Sequence, residues 1–144
     1  MKRAGIAAAA FIAFATALSK NAVAMAEASL PPEQHQGAIS FVAGGNGRNI
    51  QAFERAAADY PLALELLRRG ARRDGFLPGA QVTLRDLRGK EVLSAFLDGP
   101  FLLARVPAGH YVASVTYGGK VLRRPVLVKR RDNQRIVLEW PNGG

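Results

Sequence analysis

From Leu77 onward, apolar residues recur at every second position in short runs separated by turn formers. That is the period of half-buried β-strands, and the regular spacing of the runs points to a sandwich. Val82 and Leu84 share one face of Ala80–Leu84, with Gln81, Thr83 and Arg85 opposite. Asp86-Leu87-Arg88-Gly89-Lys90 is a hairpin turn, answered by Val92–Leu97, where only Ser94 is polar and the two faces are ambiguous. Asp98-Gly99-Pro100 turns the chain into Phe101–Val106, which Pro107 ends. Tyr111, Ala113, Val115 and Tyr117 then alternate with Val112, Ser114 and Thr116. Gly118-Gly119 suits a two-residue hairpin loop, where positive φ is required. Pro125 in the returning run Val121–Lys129 predicts an edge strand or a bulge, because its nitrogen has no hydrogen to donate. Arg131-Asp132-Asn133 turns again, and Ile136, Leu138 and Trp140 form the apolar face of a last strand. Val82, Leu84, Tyr111, Val115 and Leu138 are expected in the core, since each lies on the apolar face of its run.

Residues 37–76 read differently, as strand, helix, strand. Ala38–Val42 is a short β-prone run broken by Gly44-Gly45-Asn46-Gly47. Asn49 is positioned to cap a helix. Ile50, Phe53, Ala57 and Tyr60 follow at helical spacing on one face. Pro61 stops that helix, because it excludes Tyr60 from the α region. Leu62, Leu64 and Leu66 then alternate, which favours a half-buried strand.

Residues 1–26 have the organisation of a secretory signal peptide: Lys2 and Arg3, an apolar run from Ala4 to Leu18, and Ala24-Met25-Ala26 as a small-residue cleavage site. The run is too short to span ~30 Å of hydrocarbon as a helix. Periplasmic or secreted localisation is therefore expected, with no transmembrane span after signal cleavage. Residues 27–36 form a polar leader in which Pro31-Pro32 favours an extended, solvated chain and His35 stands alone. The chain has no cysteine. It has neither a disulfide nor a lipidation site, and its core must hold it together. Without Lys2, Arg3 and Lys20 the formal charge falls from +9 to +6. A basic exported protein meets an envelope protein, a glycan or another anionic surface, and export takes it away from nucleic acid.

Catalytic chemistry is hard to assemble from these residues. There is no His-Glu-x-x-His and no Gly-x-Ser-x-Gly. The glycine run before the helix matches neither phosphate-binding glycine pattern, so it reads as a turn. His35 lies in the leader and His110 at a strand start, too few for a metal site. No catalytic, cofactor-binding or metal-binding residue is assigned. Phe101, Tyr111, Tyr117 and Trp140 could stack on a sugar, but aromatics at alternating strand positions point inward more often. The sharpest local feature is Arg68, Arg69, Arg72 and Arg73, four guanidinium groups within six residues around Gly70. They form either a solvated loop or a docking patch for an anionic surface. The patch would be stronger if Arg123-Arg124 or Lys129-Arg130-Arg131 lay beside it.

The segment from Pro78 to Trp140 resembles the carboxypeptidase regulatory-like domains, which are transthyretin-like (prealbumin-like) seven-stranded sandwiches. The resemblance lies in Gly79–Leu84, Asp86–Lys90 and Asp98-Gly99-Pro100-Phe101, and in the corner Val106-Pro107-Ala108-Gly109-His110-Tyr111, where Val106 stands in place of the usual Leu. Ile39–Gly45 is similar to the start of short exported proteobacterial proteins carrying this domain. The resemblance implies a mostly β chain. An antiparallel seven-stranded transthyretin-like sandwich would occupy residues 77–141, preceded by one short N-terminal helix. Such domains serve binding or support, and fold alone assigns no reaction. The expected role is a non-enzymatic module that binds or supports another envelope component, or alternatively a carbohydrate-binding accessory domain.

Overall fold

The computed structural model describes residues 29–45, 47–68 and 79–140. The signal peptide expected at 1–26 lies outside the described residues, as does residue 46 and most of the Arg68–Arg73 loop. In chain order the elements are β1 (Gln34–Gln36), β2 (Ile39–Gly44), α1 (Ile50–Ala56), β3 (Leu62–Arg68), β4 (Ala80–Asp86), β5 (Glu91–Leu97), β6 (Phe101–Arg105), β7 (Gly109–Tyr117), β8 (Lys120–Val128) and β9 (Gln134–Trp140). Short 3-10 turns precede and follow α1, at Gly47–Asn49 and Ala57–Asp59.

The strands form two sheets, one of five in the order β1-β2-β6-β3-β9 and one of four in the order β5-β4-β7-β8. Their facing sides bury Leu62, Leu64, Leu66, Val82, Leu84, Tyr111, Val115 and Leu138 in one core. The five residues expected inside are all there. On the outer side of the five-stranded sheet, α1 and the turn after it lay Phe53, Ala57 and Tyr60 over Val42, Ala63, Phe101 and Leu103, making a second core. The helix face expected from spacing thus meets the sheet, giving three layers over part of the molecule.

The layering explains sequence patterns that alternation leaves open. Phe101 to Ala104 of β6 are all buried, without a polar face. Leu102 and Ala104 enter the intersheet core, while Phe101 and Leu103 enter the helix-covered one. A strand covered on both faces reads as a continuous apolar run. In β3, Ala63 is buried along with Leu62 and Leu64 for the same reason. In β5 the ambiguity resolves into alternation, with Leu93, Ala95 and Leu97 buried and Phe96 outward.

The architecture departs from the expected seven antiparallel strands. Residues 79–140 hold six strands, β1–β3 bring the total to nine among the described residues, and β3 and β9 run parallel, from Leu62 beside Gln134 to Arg68 beside Trp140. The reason is the entry of β9: the Gln134 N–H donates to the Pro61 carbonyl at 2.8 Å, so β9 starts where β3 starts. The leader is not wholly solvated, because its last three residues pair with β2 as β1. Asn49 makes no capping bond. Its backbone is itself helical, and the preceding 3-10 turn starts the helix instead. Tyr60 is extended before Pro61, as its neighbour requires. Gly118 and Gly119 both have positive φ in the β7–β8 hairpin. Pro125 lies in β8, at the edge of the four-stranded sheet.

Candidate functional site

Of the basic residues named from sequence, Arg68 and the 129–131 turn lie at opposite ends of β3. Arg68 is exposed at the last position of β3, beside Trp140 at the end of β9. Arg69, Arg72 and Arg73 lie outside the described residues. The turn carrying Lys129, Arg130 and Arg131 leads into Gln134, which pairs with Leu62 at the start of β3. Six residue steps along β3 separate those ends, about 20 Å at ~3.3 Å per residue. Arg68 therefore stands at the end of β3 away from the 129–131 turn.

What the fold assembles instead is a basic margin along β8. Lys120, Arg123 and Arg124 are exposed on this edge strand, and Lys129, Arg130 and Arg131 continue beyond it. None of the six forms an ion pair with another described residue. Arg124 stands opposite fully buried Ala113, on the core-facing row of its sheet. It stays exposed because no described strand lies outside β8. Arg123, opposite Ser114, belongs to the outer face.

A second polar group closes the end of the molecule near the 129–131 turn. The Tyr60 hydroxyl donates to Glu33 Oε1 at 3.0 Å, and the Arg105 guanidinium lies 3.5 Å from the same oxygen. Arg105 also covers the Tyr60 ring at 4.3 Å from its centroid and donates to the Asp59 carbonyl. The Tyr60 hydrogen bond, aided by Ser40 and Arg105, holds the Glu33 carboxyl below its ordinary pKa. Burial, and then Glu33, push the Tyr60 hydroxyl up. Asn133 Nδ2 donates to the Ala57 and Tyr60 carbonyls, tying the end of the helical segment to the turn before β9. Each polar group here has an internal partner, so the cluster fastens the leader and helix to the sheet.

At the opposite margin, Gln36 of β1 reaches the edge of β5. Its Nε2 donates to the Ser94 carbonyl at 2.6 Å, and its Oε1 accepts the Ser94 N–H at 2.9 Å. One side-chain amide thereby occupies both backbone groups of an edge residue and stitches the sheets together. Nearby, the Tyr111 hydroxyl donates to the Pro107 carbonyl at 2.7 Å, fixing the corner between β6 and β7. An open cleft of about 420 Å³ lies between these features, lined by Ile39, Lys90, Leu93, Pro107 and Tyr111 among others.

The aromatic residues do not present a sugar-stacking face. Phe101, Tyr111 and Trp140 are buried, and half-buried Tyr117 meets Trp140 edge-on at 5.8 Å. Phe96 is outward instead, 65% exposed, on the same sheet face as Gln81, Thr83 and Ser94. His35 and His110 are both exposed on strands, and no three metal-ligating side chains cluster among the described residues. No described helix is long and apolar enough to cross a membrane. Sequence reasoning missed the Gln36 clamp and the Arg105 cluster. Their partners lie tens of residues apart, and no local spacing announces them.

No protein-family model matches this chain, and neither does any curated protein. Among solved structures, 56% of the chain is distantly similar to 16% of the Bacillus anthracis TIE protein, at 20% identity and a TM-score of 0.45. The chain thus spans a small part of that protein's length, and the likeness is one of β-sandwich architecture without a family assignment.

Proposed function

We propose that this chain is a non-enzymatic, exported β-sandwich module that docks on an anionic component of the cell envelope through β8 and the turn after it. The observation that carries this reading is the row of six exposed cations from Lys120 to Arg131, none paired with a described residue. A single-sign row along a sheet edge attracts an anionic surface over roughly 8 Å at physiological salt. The Tyr111–Pro107 corner supports the resemblance to transthyretin-like carboxypeptidase regulatory-like domains, whose role is binding or support.

The test is co-sedimentation with vesicles of neutral or anionic phospholipid, at low and high salt. Each basic residue near an anionic membrane contributes about 1 kcal/mol. An Arg123→Gln, Arg124→Gln, Arg130→Gln variant should therefore bind on the order of 100-fold more weakly than the parent. Equal pelleting of the two, or pelleting indifferent to salt, refutes the reading. A fourfold Arg→Gln variant at Arg68, Arg69, Arg72 and Arg73 tests the other basic group in the same assay. A carbohydrate-binding accessory role is the second reading, favoured by exposed Phe96 on a polar sheet face. It requires Phe96→Ala to abolish retention on an envelope glycan.

A further inference from the structure

A sandwich of two open sheets has four edges, and each exposed edge is a template for another strand unless something blunts it. Three are blunted here. β1 is only three residues long. The edge of β5 is occupied at Ser94 by the Gln36 amide. β8 carries Pro125, which cannot donate, together with Arg124 on its core-facing row. The fourth edge, β9, has none of these devices. It is seven residues long, has no proline, and carries Gln134, Ile136, Leu138 and Trp140 on its core-facing row, with no charge among them. Val137, 42% exposed, sits at the centre of its outer row. Its one partner among the described residues is β3, on one side.

We infer that β9 accepts an extended acidic segment of an envelope protein as an added strand of the five-stranded sheet. This rests on the anionic-partner reading above and names the partner's form. β8 and β9 lie alongside each other at one margin of the sandwich. Alternate side chains of a strand added to β9 face the core-facing row of β8, where Lys120 and Arg124 are exposed. Acidic residues at those positions meet cations. The intervening positions meet the outer row Arg135, Val137 and Glu139, where an apolar or β-branched residue packs on Val137 at the centre. Backbone hydrogen bonds supply affinity, and the alternating side chains supply selectivity. A second copy of this chain is a poor occupant. Joining β9 to its own counterpart draws two β8 margins together, and both carry Lys120, Arg123 and Arg124 without a described acidic partner.

The probe is a fluorescein-labelled nine-residue peptide alternating Glu and Val, with binding read by anisotropy. Two further peptides carry N-methyl groups on alternate amides, one set at the Glu positions and the other at the Val positions. Strand addition uses the amides on one side only, so one set should lose at least tenfold in affinity and the other should bind like the parent. Arg124→Gln should weaken the unmethylated peptide several-fold and flatten its salt dependence. Bound peptide should slow hydrogen exchange at β9 amides. If both methylated sets bind alike with steep salt dependence, charge alone acts, and strand addition is refuted while the anionic-surface reading stands. If no peptide binds at low salt, strand addition is refuted, and vesicle co-sedimentation alone decides the anionic-surface reading. Protected β9 amides in a peptide-free dimer would identify a second copy as the occupant and overturn the proposal.

Discussion

Replacing Gln36 with Ala removes two hydrogen bonds that join the sheets at their β1–β5 margin. They are short, at 2.6 and 2.9 Å, and partly buried, and both end on the backbone of Ser94. A net contribution of roughly 1 kcal/mol each gives a loss of about 2 kcal/mol. For a domain of this size that lowers the melting temperature by about 8 °C, taking ~4 °C per kcal/mol. Gln36→Glu separates the two bonds. The carboxylate still accepts the Ser94 N–H, but it cannot donate to the Ser94 carbonyl and faces it with a like partial charge. Urea titration of the three proteins measures the stabilities, and hydrogen exchange at the Ser94 amide reports the bond itself. The expected result is rapid Ser94 exchange in the Ala variant and retained protection in the Glu variant, with both less stable than the parent. Unchanged midpoints together with unchanged Ser94 protection in Gln36→Ala would refute the clamp. The blunting of the β5 edge would then need another cause.

Gly45→Ala should destabilise the fold by about 2–4 kcal/mol, from positive-φ strain and overpacking. Its φ is +97°, and an added Cβ would lie 2.7 Å from Phe101 Cδ2, on a buried ring stacked with Phe53 at 5.8 Å. Gly47→Ala, with φ +57° and open space around it, should cost only the strain, about 1 kcal/mol, so equal melting of the two variants contradicts the packing argument. Glu33 has a lowered pKa when folded, so its contribution is fully present above its unfolded value and lost as pH falls through the folded one. Exchange of the β1 amides should therefore accelerate below about pH 4, and Glu33→Gln should remove that acid step. A parent whose β1 exchange follows only the intrinsic pH dependence would show that the Tyr60–Arg105 contact does not hold the leader.

Strands and turns of the second half of the chain were legible because each is a local event. Val82 and Leu84, or Tyr111 and Val115, show their faces by period alone, and Gly118-Gly119 shows its turn by what glycine alone tolerates. Layering was not legible. Phe101-Leu102-Leu103-Ala104 could be any apolar run until α1 is known to cover one side of it, and that cover comes from Phe53, nearly fifty positions earlier. The parallel pairing of β3 with β9 was hidden for the same reason, since Leu62 and Gln134 are brought together only after four intervening strands have crossed to the other sheet. The candidate site was half legible. The cations of β8 stand out in sequence, and Pro125 marks their strand as an edge. Their continuity with the 129–131 turn, and the distance of that turn from Arg68, required the register.

The same cations on β8 answer two needs, and the distinction decides what the margin is for. Arg124 and Pro125 suffice to stop another strand from pairing with β8, since a charge on the core-facing row and a missing donor each interrupt a ladder. Edge protection gives no reason for Lys129, Arg130 and Arg131 to extend the charge beyond the strand, nor for all six cations to lack an ion pair with a described residue. Long-range attraction gives that reason, because it grows with every uncompensated charge gathered along one margin. Protection by β8 is indifferent to salt, whereas attraction weakens as the screening length shortens. Loss of binding with rising salt, at constant stability, therefore distinguishes a docking margin from a merely defended edge. Beside it, β9 is the strand left able to use what the charges bring near.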